Sequence, residues 1–104
     1  MKYRIEVTAQ AICDMRGIYE YIAFDLQAPE HATKQLERLE KQISNLESMP
    51  KRFQLHKKAL WASKGLHQMP VDNFIVFYLI NQELVTIIRV MYSSRDSDKQ
   101  LKNS

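Results

Sequence analysis

The sequence predicts an α+β fold in the order β-α-α-β-β-β, with a helical hairpin packed on one face of a mainly antiparallel four-stranded sheet and a short helical turn at the C-terminus. Three features predict it. Asn73 to Ile80 and Leu84 to Tyr92 are dense in β-branched and aromatic residues and are separated only by Asn81, Gln82 and Glu83, which marks a β-hairpin. Two earlier stretches repeat apolar residues at three- and four-residue steps, the period of a helix buried along one side. The opening MKYRIEV alternates instead, with Tyr3, Ile5 and Val7 on one face and Lys2, Arg4 and Glu6 on the other, as in a strand with one wet face.

Taken in order, the first strand leads to Thr8, whose hydroxyl can cap a helix bearing Ile12, Met15, Ile18/Tyr19, Ile22 and Leu26 on one face. Gly17 weakens that helix slightly. Ala28-Pro29-Glu30 restarts the chain, with Pro29 suited to a first helical position and Glu30 to the positive end of the helix dipole. Leu36, Leu39, Ile43 and Leu46 follow, and Ser48-Met49-Pro50 ends the run. That spacing lasts only about two heptads, too short for a coiled coil, so it is read as core packing. Leu66 to Val71 enters the hairpin through the turn signal Val71-Asp72-Asn73, and Pro70, which cannot donate to a ladder, puts this strand at a sheet edge. Beyond the sheet, a capped helical turn is expected to begin near Asp96. Asp96 and Asp98 have no third ligand nearby and are read as capping and solvated groups.

Between helices and sheet, Lys51 to Gly65 has no acidic residue and five basic ones, with Phe53, His56 and Trp61 interleaved. Two readings stand. Cations with aromatic faces suit RNA, and Lys57 and Lys58 are then candidates for a partner. Alternatively this is a solvated connection in which Phe53, Leu55, Leu60 and Trp61 tuck under the sheet edge.

A chain of 104 residues makes one domain, residues 1 to 104, and buries roughly 65% of its unfolded surface. There is no 18-residue apolar stretch and no hydrophobic leader, so neither secretion nor membrane insertion is expected. The single cysteine, Cys13, excludes an internal disulfide, suits a cytoplasmic location, and is read as a small buried hydrophobe. Residues 1 to 50 hold six Lys/Arg and eight Asp/Glu, and residues 51 to 104 hold nine and four, so the halves carry −2 and +5. A basic C-terminal half favours an acidic partner, either nucleic acid or an acidic protein segment. Phosphate-loop, dinucleotide, zinc-protease and hydrolase motifs are all missing, and His31, His56 and His67 lack close ligand spacing, so no cofactor and no metal is expected. His31 is read as a surface residue.

The run GL-x-x-MPVDNF-x-VFY, followed after a turn by V-x-IIRVMY-x-x-RD, over Gly65 to Asp96, resembles the C-terminal half of the RelE/ParE superfamily of bacterial toxins. Length and element order agree with it over nearly the whole chain. The resemblance implies a growth-inhibiting toxin of a type II toxin–antitoxin, plasmid-stabilisation module. It also implies that a cognate antitoxin neutralises the toxin, that operator DNA is reached only through that antitoxin, and that the target is either DNA gyrase or the ribosome with its mRNA.

Metal-free cleavage of mRNA would need a base, an acid and a cation for the building charge. The imidazole of His67 could be the base, and Arg95 is the closest cation. Tyr92, at a position where the resemblance implies a functional tyrosine, could orient phosphate or donate a proton. The set departs from that pattern. His67 stands where many relatives have arginine, Met91 stands where some have histidine, and the expected arginine falls nearer Ser93 or Ser94. The ending RVMYSSRD is closer to the gyrase-directed branch, which needs a complementary surface and no acid–base pair, and that reading is preferred. A plain interaction module is the third.

Arg89 is the one charge in an otherwise apolar strand, where strict alternation puts Val85, Ile87, Arg89 and Met91 on one face. It is expected either to pair with Asp72, Glu83 or Asp96, or to face a partner. Lys57, Lys58, Arg89 and Arg95 are thus the candidate partner or nucleic-acid residues. The expected interface is a cationic face of the C-terminal meander that gathers His67, Arg89, Tyr92 and Arg95, with the helices as backing.

Overall fold

The computed structural model describes residues 2–55 and 59–93, with the backbone alone at 59 and 61. Its elements are β1 (Arg4–Val7), α1 (Ala9–Glu20) continuing into a π-helical turn (Tyr21–Asp25), α2 (Pro29–Asn45), a 3₁₀ turn (Pro50–Arg52), α3 (Ala59–Ser63), β2 (His67–Val71), β3 (Phe74–Asn81) and β4 (Leu84–Tyr92). The sheet runs β1-β4-β3-β2. The meander is antiparallel, while β1 lies parallel to β4, so the sheet is mixed. A chain that leaves β1, crosses two helices and returns through a meander can deliver its last strand alongside the first in that direction. α3 is an element that the sequence reading left as connection. Lys57, Lys58, His56, the Trp61 side chain, Arg95 and the turn near Asp96 lie outside the described residues.

Local signals account for the element ends. Thr8 is extended and its Oγ1 accepts from the Ala11 N–H at 3.1 Å. Pro29 opens α2, with Glu30 in the first turn. Both hairpin turns have two residues, and Asp72 and Gln82 supply the left-handed φ of 55° and 56° that such turns require. Asp72 is held further by Arg38 Nε at 2.7 Å and Gln35 Nε2 at 3.0 Å, which tie α2 to the β2–β3 turn. Those hydrogen bonds, the Arg38 bond foremost, hold its carboxyl below the usual carboxylate range.

The main core lies between the helical hairpin and one sheet face. It joins Ala11, Leu39, Ile43 and Leu46 from the helices to Met69, Val71, Phe74, Val76, Tyr78, Val85, Ile87 and Val90. A smaller cluster of Leu66, Phe77 and Met91 occupies the opposite face. Leu39, Ile43 and Leu46 follow the expected α2 spacing, but Leu36 is only partly buried and the inward stripe runs on through Gln35 and Ala32 instead. α1 departs further. Ala11, Met15 and Ile18 face inward, whereas Ile12 is 48% exposed and Cys13 is exposed. A side chain one position from the centre of a helical stripe is rotated about 100° away from it, and here that rotation carries Ile12 and Cys13 off the core. Leu26 is exposed as well, because the intervening π turn, closed by Leu26 N–H to Tyr21 C=O at 3.0 Å, shifts the phase.

Pro70 sits in edge strand β2 as expected, and the edge is blunted on both sides of it. The outward Gln68 N–H is taken by Gln54 C=O at 3.0 Å, and Leu55 bridges to His67. Pro70, two residues on, faces the same way and has no N–H.

Two stability predictions follow from the packing. A Cβ on Gly17 would meet nothing within 4 Å, so Gly17→Ala should raise unfolding stability by about 0.5–1 kcal/mol in urea titration. Tyr78 is fully buried and its hydroxyl donates to Pro50 C=O at 2.6 Å; burial pushes the phenol up from 10.0 to about 12. A folded-state value raised above the unfolded one contributes stability that is complete below pH 10.0 and lost as pH climbs towards about 12. Tyr78→Phe should therefore cost about 1–2 kcal/mol at neutral pH and remove that part of the alkaline decline, measured by denaturation at several pH values.

Candidate functional site

The residues that line a groove beside α1 come together because β4 outruns β1. The parallel ladder starts with Arg4 N–H on Glu83 C=O at 2.7 Å and ends with Thr8 N–H on Ile87 C=O at 3.1 Å, so Glu83 and Ile87 both present their carbonyls to β1. At that point β4 carries a bulge, since Tyr78 pairs with Ile87 and Phe77 with Arg89, leaving Ile88 extra. After it the alternation is shifted by one. Ile88 and Val90 now point their backbone groups to the edge, while Ser93 N–H points back to Asn73 C=O at 2.8 Å. Side chains shift with the backbone, so Val90 joins Val85 and Ile87 in the main core and Met91 goes to the opposite cluster. Strict alternation placed Met91 with Val85 and Ile87, and the bulge overturns that.

α1 seals the edge that β1 abandons. Thr8 Oγ1 donates to Ile88 C=O at 3.1 Å. Asp14 Oδ2 accepts the Val90 N–H at 3.0 Å and the Arg89 Nε–H at 2.7 Å, while its Oδ1 accepts from Arg89 Nη2 at 3.0 Å. The Arg89 and Asp14 side chains are 15% and 10% exposed, so this is a largely buried, two-point ion pair. Arg89 is therefore in a structural pair, and its partner is Asp14 rather than Asp72, Glu83 or Asp96. The sequence signal for it was the presence of two lone charges inside apolar runs, Asp14 in AICDM and Arg89 in IIRVM.

Above this pair opens a groove of about 640 Å³ between the C-terminal part of α1 with its π turn and the end of β4. Cys13, Gly17, Ile18, Tyr21, Ile22 and Leu26 form one wall, and Phe74, Val90, Met91 and Tyr92 the other, with Asp14 and Arg89 between them. Tyr21, Leu26 and Tyr92 are 53%, 55% and 57% exposed, and the Tyr92 ring stands edge-on to Phe74 at 5.2 Å. Exposed aromatic and aliphatic groups around a concave site with few charges mark a surface made for covering.

His67 is not part of it. At the start of β2 its Nδ1 lies 2.9 Å from Phe53 C=O and its ring stacks on Tyr78 with centroids 5.3 Å apart. Across the sheet His67 aligns with Tyr78 and Ile87, whereas Tyr92 aligns with Phe74 and Val71. Four residues along the strand and two strand spacings across give a separation on the order of 16 Å. Of the expected cationic face, the described part thus divides. Arg89 and Tyr92 share the groove, and His67 stands at the other end of the sheet. No group of three metal-ligating side chains occurs among the described residues, and no described helix is long and apolar enough to cross a membrane.

Comparison with known proteins agrees with this architecture. Residues 5–97 match the family model described as ParE toxin of type II toxin-antitoxin system, parDE. No curated protein matches the sequence. Among solved structures the chain is similar to one from the chromosomal ParDE toxin–antitoxin system of Pseudomonas aeruginosa, with 17% identity, TM-score 0.75, and 89% of this chain and 98% of that one covered. It is also similar to a mutant of the E. coli toxin RelE in the free state, with 13% identity, TM-score 0.67, and 99% and 98% covered. The archaeal RelE–RelB complex from Pyrococcus horikoshii follows at 15% identity, TM-score 0.62, and 91% and 99% covered. At these identities the likeness concerns the fold.

Removing one member of the buried pair leaves the other charge without compensation. Asp14→Ala should cost about 3–5 kcal/mol in urea denaturation, and replacing both members, Asp14→Leu with Arg89→Met, should recover much of that loss. Equal losses in the single and double variants would show that Asp14 matters mainly as the cap on Val90.

Proposed function

The chain belongs to the family of ParE toxins of type II toxin–antitoxin systems, and from that premise we propose that it inhibits growth as a gyrase-directed toxin held inactive by a cognate antitoxin. The observation that carries this reading is the separation of His67 and Tyr92, the described residues that were candidates for the proton-moving roles of an RNA-cleaving site. Proton transfer needs groups within hydrogen-bond reach of one substrate, roughly 3 Å or one water away, and these two stand at opposite ends of the sheet. Met91, beside Tyr92, is buried and carries no transferable proton. A gyrase poison needs instead a surface that fits its target, and an apolar, aromatic-rimmed groove is suited to that work.

The antitoxin follows from the family and from charge. The C-terminal half carries +5, so an acidic or amphipathic antitoxin segment is drawn to it, with Lys57, Lys58 and Arg95 as contacts. Operator DNA is reached only through that antitoxin, and the whole cycle takes place in the cytoplasm, where gyrase is found. A second reading, ribosome-dependent mRNA cleavage, is favoured by one observation. Tyr92 is exposed at the groove mouth, where it could meet a phosphate.

Inducing the chain without its antitoxin should arrest growth, and purified protein should block DNA supercoiling in vitro. His67→Ala and Tyr92→Phe should each retain both effects. Cuts within translated codons by primer extension, abolished by either substitution, would establish the nuclease reading. Unimpaired growth on induction would leave a plain interaction module.

A further inference from the structure

We infer that the tip of the helical hairpin, where the π turn leaves Tyr21, Phe24 and Leu26 exposed among carboxylates, is the surface by which the toxin grips a basic protein target, with Phe24 as the anchor. This rests on the reading of the chain as a gyrase-directed toxin and names the part of it that meets the enzyme.

Apolar exposure peaks at this tip. Phe24 is 69% exposed, more than any other large hydrophobic side chain among the described residues. Tyr21 lies one turn before it, and Leu26, whose N–H bonds Tyr21 C=O at 3.0 Å, closes the turn, so the three side chains gather at one end of the hairpin. The backbone beneath them is held, since Ala28 N–H bonds Ile22 C=O at 3.0 Å and Pro29 at once begins α2. A ring presented on an ordered turn loses little freedom when a partner covers it. Phe24 belongs to neither core cluster and does not line the groove, so no packing role inside the chain accounts for it.

Charge decides what can cover it. Between Arg16 and Lys34 the chain has Glu20, Asp25 and Glu30 and no lysine or arginine. All three acids are exposed, and none of their side chains has an ion-pair partner among the described residues. Such a surface repels phosphate, so it suits neither DNA nor RNA, and it repels an acidic antitoxin segment as well. The occupant that fits is a protein surface with a hollow for the Phe24 ring and lysine or arginine at its rim. The two encounters of the toxin are thereby kept apart, with the antitoxin drawn to the basic C-terminal half and the target met by the acidic tip.

The test uses the full-length toxin, purified gyrase and the purified antitoxin encoded beside the toxin. Phe24→Ala should raise both the Kd for gyrase and the toxin concentration that half-inhibits supercoiling by about thirtyfold, the loss expected of an interface anchor. Asp25→Lys combined with Glu30→Lys should raise both by about tenfold at low salt and by less as salt rises. Antitoxin affinity should stay at the wild-type value in both variants. Undiminished inhibition by either variant overturns the proposal and leaves the gyrase reading standing. A matching loss of antitoxin affinity also overturns it, because the tip then belongs to the antitoxin interface. Should Phe24→Ala fail to fold, the charge-reversed variant decides. Wild-type toxin that neither binds gyrase nor blocks supercoiling overturns both readings.

Discussion

The carboxylate of Asp14 does the work of a missing strand. β1 is four residues long and β4 is nine, so a sheet with one covered face would end in a row of open backbone groups inside the molecule. A buried N–H without an acceptor costs on the order of 1–3 kcal/mol, and α1 meets that cost by laying Thr8 and Asp14 along the edge. Asp14 can sit there because Arg89, one residue from the N–H it accepts, neutralises it. Arg89 reaches it because the bulge at Ile88 resets the alternation. Bulge, ion pair and helix position are therefore one arrangement, and the groove above them is its consequence.

Most of the architecture was legible in the sequence because it is written in short-range terms. Thr8, Pro29, Asp72 and Pro70 each do locally what their chemistry allows anywhere, and the α2 stripe through Leu39, Ile43 and Leu46 needs only a helical period. What escaped is long-range. The parallel direction of β1 depends on a crossover that no local pattern encodes. The bulge depends on two strands being out of step by one residue. Ile12, Cys13 and Leu26 were placed by assuming one uninterrupted helical phase, whereas the buried side of α1 is set by Asp14 as much as by its apolar neighbours, and the π turn changes the phase before Leu26.

The same limit applied to the site. Arg89 stood out as the odd charge of β4 and Tyr92 through the family resemblance, and the two share a groove. His67 was grouped with them because all three fall in one meander, but strands place neighbours in sequence far apart in space, and its partners are Phe53 and Tyr78. Asp14 went unnoticed as a participant because a single acid in an amphipathic helix is ordinarily a solvated one.

The exposed apolar rim gives the groove its direction. Continuing α1 with regular turns would keep Leu26 in phase with Ile22, yet the helix widens at Tyr21–Asp25, and Gln27 closes it with a left-handed φ of 53° and Ala28 N–H on Ile22 C=O. π turns are less favourable than α turns and are concentrated at functional sites. Here the distortion leaves Tyr21 and Leu26 opposite Tyr92 across the groove. Charge and shape then divide the labour of recognition. Under the proposed function, the basic C-terminal half would accelerate encounter with an acidic partner in a salt-sensitive way, while the apolar groove, whose charges are already paired, would set how slowly that partner leaves.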